Sequence, residues 1–282
     1  MLRYKILHCT NYAFSGVVTL NPHTLLLRPR ESHELRIESS LLNLTPTATL
    51  YWHRDVEDNC VAVANFETPA SELIVESEVI IQQYNDAPLD FLVDDYAVNY
   101  PFVYTPEDWV VLSPYAMSAM NTDNRHLSEW ITSFWTGEAL QTYALLQRLC
   151  THIHQSLSYQ LREEPGVQSV TETLSRSCGS CRDFAHLFIE AARSLGLASR
   201  FVSGYLYSPS SAMRFGATHA WAEVYLPGAG WKGFDPTSGE IVGANHIAVA
   251  VARLPESVPP IAGSFIGVPG ASLNVQVQVI EM

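Results

Sequence analysis

Residues 178–196 read CGSCRDFAHLFIEAARSLG, and this stretch decides the architecture of the chain. A glycine-containing loop turns here into an amphipathic helix, and Gly196 supplies the usual C-terminal stop. The apolar face of that helix comprises Phe184, Leu187, Phe188, Ala191, Ala192 and Leu195. Cys181 lies at the helix start, where unpaired backbone N–H groups and the positive end of the helix dipole favour a thiolate. The pattern predicts a cysteine nucleophile, and the same N–H groups can hold an oxyanion.

A base and an orienting acid follow on two consecutive predicted strands. His219 opens the strand within residues 218–225, THAWAEVY, and Asp235 ends residues 230–235, GWKGFD. Only 16 residues and one hairpin turn separate the two side chains, so cross-strand contact is easy. We expect Asp235 to bond one imidazole nitrogen of His219 while the other nitrogen faces Cys181.

Three further residues are candidates for a substrate cleft. Strand alternation puts Trp221 on the same face as His219, Ser180 directly precedes the nucleophile, and Tyr159 follows the preceding predicted helix. Tyr159 either lines the cleft, donates a hydrogen bond to an oxyanion, or is a core tyrosine. The residue types alone do not choose between these roles.

The remainder of the chain divides into a strand-rich beginning and a mixed second part, which predicts the α+β class. Residues 1–83 read as short alternating strands with turn-formers between them, as in an antiparallel β-sandwich. Residues 84–114 are interpreted as an ordered connector, because their many aromatic side chains need burial. Residues 115–282 form the predicted catalytic domain, with a helix over about 137–158 and strands at 200–207, 219–226, 231–235, 247–251 and 273–279.

Composition excludes several partners. The formal net charge is −13, and no basic cluster is long enough to follow a phosphate backbone, so we expect no nucleic-acid partner and no membrane partner. No run of about 18 apolar residues occurs, and cytoplasmic residence is the default expectation. The five cysteines are an odd number in a chain of this size, so a disulfide framework is not expected. The oligomeric state stays open.

Four linked motifs resemble one family in order and spacing. They are residues 179–185 (GSCRDFA), 198–205 (ASRFVSGY), 219–224 (HAWAEV) and 230–237 (GWKGFDPT). Together they resemble the bacterial transglutaminase-like, or cysteine protease-like, family. Residues 25–30, LLLRPR, are similar to the β-sandwich that precedes the catalytic domain in bacterial members. One departure lies in that sandwich, where Asp58-Asn59 stands in place of an expected Gly-Asn.

The resemblance implies a papain-like catalytic domain and a Cys–His–Asp mechanism on Cys181, His219 and Asp235. It implies a peptide or protein substrate attacked at an amide carbonyl, with an acyl-enzyme intermediate and no cofactor. The acyl group can pass to water, as in a protease or amidase, or to an amine, as in a transglutaminase. No residue decides between them, and we favour hydrolysis. A module that binds peptides without cutting them is a third possibility.

Other interpretations of the same residues stay open. Cys181 is alternatively a buried structural thiol. Cys178 and Cys181 form a C-x-x-C, which suggests a redox pair or, with His219 and Asp235, a zinc site. We expect Cys178 to be incidental and no metal to be required.

Two polar residues on the nucleophile helix receive structural interpretations. His186 is expected to face the interior with a hydrogen bond. Asp183 is expected to cap the helix or to pair with a cation.

Overall fold

A computed structural model of the chain describes residues 1–84, 87–118, 125–162, 164–208 and 218–282. Its mixed antiparallel sheets and helices confirm the α+β class. The helices are α1 (Pro106–Ala116), α2 (Arg125–Phe134), α3 (Thr142–Ser156), α4 (Val170–Arg176) and α5 (Cys181–Ser194). Among the described residues, no helix is long and apolar enough to cross a membrane.

The strands run along the whole chain, and several are two-residue bridges. They are β1 (Leu2–Leu20), β2 (His23–Leu25), β3 (Leu35–Thr45), β4 (Ala48–Arg54), β5 (Cys60–Phe66), β6 (Ala70–Gln83), β7 (Asn99–Tyr100), β8 (Leu140–Gln141), β9 (Ser158–Tyr159), β10 (Cys178–Gly179), β11 (Ser199–Leu206), β12 (His219–Leu226), β13 (Gly230–Asp235), β14 (Glu240–Ile241), β15 (His246–Ala252), β16 (Ile261–Ala262), β17 (Phe265–Ile266) and β18 (Ala271–Glu281).

Two antiparallel sheets form the N-terminal sandwich. One has the order β18-β1-β6-β3, with β17 on the far end of β1, and the other has the order β16-β2-β5-β4. Alternating side chains of both sheets meet in one buried cluster, formed by Val18, Leu20, Leu25, Leu27, Ala62, Ala64, Leu73 and Val75. The sandwich therefore holds its own apolar core.

The C-terminal tail returns to this sandwich. Strand β18 pairs along β1 from Tyr4 opposite Glu281 to Phe14 opposite Ala271, while β16 and β17 pair with β2 and β1. The sequence interpretation placed all of 115–282 in the catalytic domain and did not anticipate this return. A strand pattern predicts that a strand exists and says nothing of which sheet it joins.

The sheet of the predicted catalytic domain, the catalytic sheet, is antiparallel with the order β14-β13-β12-β11-β15 and has α5 packed against it. Helix α5 begins at Cys181, as the sequence predicted. Helix α3 begins five residues later than predicted, because Gly137 takes a φ of +95° and residues 140–141 form β8. Both helices bury their apolar faces in the core.

One face of the first sandwich sheet packs on two other sheets. Toward one end of β1 and β6 it packs on the second sheet, and toward the other end it packs on the catalytic sheet. Tyr4 and Ile6 accordingly share a buried core with Phe188 and Phe234. His8 hydrogen-bonds the Tyr205 hydroxyl at 3.0 Å across the same interface. The catalytic sheet is thus supported from behind by the sandwich.

Candidate active site

The loop before α5 is held by a single buried carboxylate. Asp183 is fully buried, and its Oδ2 accepts hydrogen bonds from the Ser180 N–H at 2.8 Å and the Ser180 hydroxyl at 2.7 Å. Its Oδ1 accepts from Arg162 and from the Gln168 N–H, both at 2.7 Å. Asp183 therefore caps the helix, as expected, and its cationic partner is Arg162. These bonds fix the backbone that presents Cys181.

The pKa of Asp183 reflects this environment. Burial alone raises the pKa of a carboxyl group, but the N–H groups of Gln168 and Ser180 and the Arg162 guanidinium together hold the pKa of Asp183 below its usual value. The carboxylate is therefore ionised at neutral pH and can hold all four donors.

The structure brings His219, Asp235 and Cys181 together. His219 opens β12 and Asp235 ends the adjacent strand β13, with the imidazole Nε2 at 2.8 Å from Asp235 Oδ2. Cys181 lines the same cleft as His219 and lies close enough to its imidazole to help raise its pKa. Because Nε2 is engaged with Asp235, Nδ1 is the ring nitrogen left for the thiol. The side chain of Asp235 is fully buried and that of His219 is 11% exposed.

Electrostatics in this cluster favour the charged forms. Burial lowers the pKa of His219, but its hydrogen bonds with Asp235 and Cys181 outweigh burial and raise the pKa to about 10. Burial raises the pKa of Asp235, yet hydrogen bonds from His219 and His246 hold it well below its ordinary range. An imidazolium beside a carboxylate is the environment in which a neighbouring thiolate is stabilised.

Sequence reasoning missed His246. This residue opens β15, and its Nε2 lies 3.2 Å from the same Asp235 Oδ2 that His219 contacts. The only sequence signal was a histidine at the start of an otherwise apolar strand, HIAVAVA, which a single sequence does not separate from an ordinary strand end.

A cleft of about 320 Å³ opens over Cys181 and His219. Its apolar lining includes Val167, Phe201, Ala220, Val258, Pro259 and Pro260, and its polar lining includes Arg182, Ser203, Thr218 and Glu256. Residues 255–260 belong to the tail that leads back to the sandwich. A second cavity of about 420 Å³ borders His246 but contains neither Cys181 nor His219, so the first cleft is the one that borders the thiol.

The three predicted cleft residues differ in position. Tyr159 is 51% exposed and near enough to Cys181 for the thiolate to help raise the pKa of its phenol, after burial. Ser180 is buried and engaged with Asp183, so it supports the helix start and does not line the cleft. Trp221 is 1% exposed, because its indole packs in a small apolar cluster with Val202 and Val251. Alternation identified the face of β12 but not that this part of it is covered.

The structure also shows the surroundings of Cys178 and His186, for which the sequence suggested other roles. The Cys178 thiol hydrogen-bonds Gln160 Oε1 at 3.4 Å, and all five cysteines are free thiols. His186 contacts the Gln168 carbonyl oxygen at 3.1 Å, which fits its structural interpretation. In the described part of the chain, the group of side chains that could hold a metal ion is His219, Asp235 and His246, and it does not include Cys178.

Comparison with known proteins assigns the family. Residues 130–236 match the transglutaminase-like superfamily, and residues 4–82 match the bacterial transglutaminase-like N-terminal region. The chain carries a transglutaminase-like core behind a bacterial transglutaminase-like N-terminal region. Members of this superfamily are usually cysteine-nucleophile enzymes.

Relatives of this transglutaminase-like chain cover it nearly end to end. An uncharacterized protein of Mycobacterium leprae is 25% identical over 100% of both chains, and one of Mycobacterium tuberculosis is 27% identical over 93% of this chain and 87% of the other. The crystal structure of a proposed cysteine protease from Cytophaga hutchinsonii is similar with a TM-score of 0.76, at 17% identity, covering 100% of this chain and 91% of that one. That structural similarity supports the fold.

Proposed function

We propose that this transglutaminase-like chain is a cysteine hydrolase that cleaves amide bonds of peptides or proteins. The observation that carries the proposal is the imidazole of His219, which bonds Asp235 Oδ2 at 2.8 Å and shares a cleft with the Cys181 thiol, close enough for that thiol to help raise its pKa. A nucleophile, a base and an orienting carboxylate in this order form a catalytic triad. The open cleft above the thiol gives a substrate access to it.

The first half of the reaction forms a thioester. The Cys181 thiolate attacks the amide carbonyl carbon, and the developing oxyanion lies near the backbone N–H groups at the start of α5, which lack helical acceptors. The hydroxyl of the half-exposed Tyr159 is a second candidate donor to that oxyanion. His219 then gives its proton to the leaving amine, and the C–N bond breaks.

The second half releases the acyl group. A water molecule loses a proton to His219 and attacks the thioester carbonyl, which yields a carboxylic acid and regenerates the thiolate. An amine in place of water would give transamidation. The apolar walls of the cleft favour an aliphatic or aromatic substrate side chain next to the scissile bond.

A peptide-library assay with and without a primary amine tests the proposal, because mass spectrometry separates cleavage from deamidation and amine incorporation. We expect cleavage, reduced at least about a thousandfold in Cys181→Ala. Cys178→Ala is the matched control, since Cys178 lies three residues away and contacts Gln160 rather than His219. Full activity of Cys181→Ala would exclude this mechanism, and amine incorporation at glutamine without cleavage would assign transamidation instead.

A further inference from the structure

His246 is the second side chain that hydrogen-bonds the Asp235 carboxylate. Its Nε2 lies 3.2 Å from Asp235 Oδ2, and the side chain is only 9% exposed. The Gly243 N–H points at His246 Nδ1 at 3.4 Å, so Nδ1 is the acceptor and the ring proton sits on Nε2. His246 therefore donates to Asp235 from Nε2.

Asp235 has a complete set of donors only when His246 is present. Its Oδ1 accepts the Thr237 N–H at 2.9 Å, and its Oδ2 accepts from both His219 and His246. Without His246, two of these three donors would remain, Thr237 on Oδ1 and His219 on Oδ2, and the carboxylate could still rotate about its bond to Cβ. The bond from His246 fixes the second oxygen independently of His219, which sets where the Nε2 of His219 must lie.

Contacts with both its ring and its backbone fix the position of His246. Its ring lies edge-on to the buried Trp221, with centroids 5.3 Å apart and an interplanar angle of 78°. Trp221 occupies the space beside Gly204, where a Cβ would come within 2.7 Å of the indole Cη2. Gln83 of the sandwich donates from its amide to the backbone carbonyl of His246 at 3.2 Å. Both ring and backbone of His246 are thus constrained.

We infer that His246 is a positioning residue for the triad, which acts by holding the Asp235 carboxylate in the orientation that aligns His219 with Cys181. The effect on kcat that this inference predicts rests on the proposed function, whereas the orientation it predicts for Asp235 and His219 does not. A metal ion bound by the same three residues is the competing explanation, since their ligand atoms lie within 4.8 Å of one another. Such an ion would have to replace both ring protons.

Two substitutions of matched length separate donation from packing. His246→Gln keeps an N–H donor at the end of an unbranched side chain, and His246→Met keeps similar bulk without a donor. We expect kcat for peptide cleavage to fall about tenfold in His246→Met with KM unchanged, and to stay within about threefold in His246→Gln. Equal loss in both variants, or none in either, would overturn the inference.

Two measurements need no substrate, so they keep this test separate from the proposed function. The iodoacetamide alkylation rate of Cys181 at neutral pH should fall in His246→Met and recover in His246→Gln, even if no peptide is cleaved. In the wild-type protein, nitrogen-15 NMR should place the His246 ring proton on Nε2. A proton on Nδ1, or one equivalent of zinc that is retained by wild type and lost in both variants, would contradict the inference.

Discussion

His219 is a histidine on which burial and neighbouring groups act in opposite directions. Burial disfavours its charged form, whereas the carboxylate of Asp235 and the thiol of Cys181 favour it, and the pKa reaches about 10. The imidazolium therefore persists through the neutral range. A protonated His219 next to the thiol matches the role of proton donor to the leaving amine.

This raised pKa predicts a loss of stability and activity at alkaline pH. His219 holds its proton more tightly in the folded chain than in the unfolded one, so its stabilising contribution is complete below pH 6.5 and disappears as the pH rises toward about 10. We expect Tm to fall more steeply over that window in wild type than in His219→Gln. The alkaline limb of kcat/KM should lie near pH 10 and move to lower pH in Asp235→Asn, which loses the strongest effect that raises the pKa.

Thermal melts and rate profiles from pH 6 to about 10.5 check both parts of this prediction. Parallel Tm curves for wild type and His219→Gln would show that His219 is not the titrating group. An unmoved alkaline limb in Asp235→Asn would show that Asp235 does not set its pKa.

The sequence pointed to the candidate residues that have a clear local context and did not point to those that depend on tertiary contact. Cys181 precedes a helix with a clear apolar face, and His219 and Asp235 share one hairpin, so local patterns placed all three. His246 lies on β15 and Asp235 lies on β13, and strands β11 and β12 separate the two in the sheet order. No local sequence pattern reports a contact between strands that are not neighbours. Trp221 was expected in the cleft because alternation cannot tell a covered face from an open one.

At the scale of elements, the start of α5 depends on the buried ion pair of Asp183 and Arg162. Their atoms are 2.7 Å apart, with side-chain exposures of 0% and 15%. We expect Asp183→Asn to lower the free energy of unfolding by about 3 kcal/mol, because the largely buried Arg162 guanidinium then has the mostly exposed carboxylate of Glu164, 3.6 Å away, in place of a buried charged partner. The pKa of Asp183 is lowered in the folded state, so this contribution is present above its unfolded value of 3.8 and is lost as the pH falls through the folded one.

Urea denaturation at pH 7 measures the effect of Asp183→Asn. Glu172→Gln is the control, because Glu172 makes an exposed ion pair with Arg176 on α4 and its loss should change stability by less than about 0.5 kcal/mol. Equal effects of the two substitutions would show that the Asp183 network does not hold the loop.

Turn geometry explains one departure from the family pattern. Asp58 stands where glycine was expected and has a φ of +61°, in the left-handed region that glycine adopts freely. Aspartate tolerates this region better than most residues because its short side chain bonds locally. The following residue, Asn59, keeps the identity expected from the family. This turn therefore has the left-handed backbone conformation suited to the expected glycine, and it keeps the asparagine side chain at position 59.

At the scale of the whole molecule, Asn59 joins the sandwich to the catalytic sheet. Its fully buried side chain donates to the Val251 carbonyl and accepts the Val251 N–H, both at 2.8 Å, in the manner of a neighbouring strand. The same amide donates to Asp55 at 2.8 Å and accepts from Arg30 at 2.7 Å. All four hydrogen-bonding positions of the amide are used.

These contacts end on β15, the strand that begins with His246. The backbone N–H of Arg30 also donates to the Ala248 carbonyl at 2.8 Å, and Gln83 donates to the His246 carbonyl at 3.2 Å. The N-terminal sandwich therefore holds β15 at both of its ends and its middle. Because His246 contacts Asp235, these bonds connect the sandwich to the proposed triad, and we propose that the N-terminal half helps to align it.

Asn59→Ala tests this role. The substitution leaves both polar backbone groups of Val251 buried without partners, so we expect the free energy of unfolding to fall by about 2–4 kcal/mol. Because β15 loses an anchor, kcat should also fall several-fold at a temperature where the variant remains folded, while KM stays near wild type. Asn43→Ala on β3 is the matched control, since Asn43 is an exposed residue of the same sandwich, and should leave both quantities unchanged. Loss of stability with full kcat would mean that the sandwich supports folding but does not align the triad.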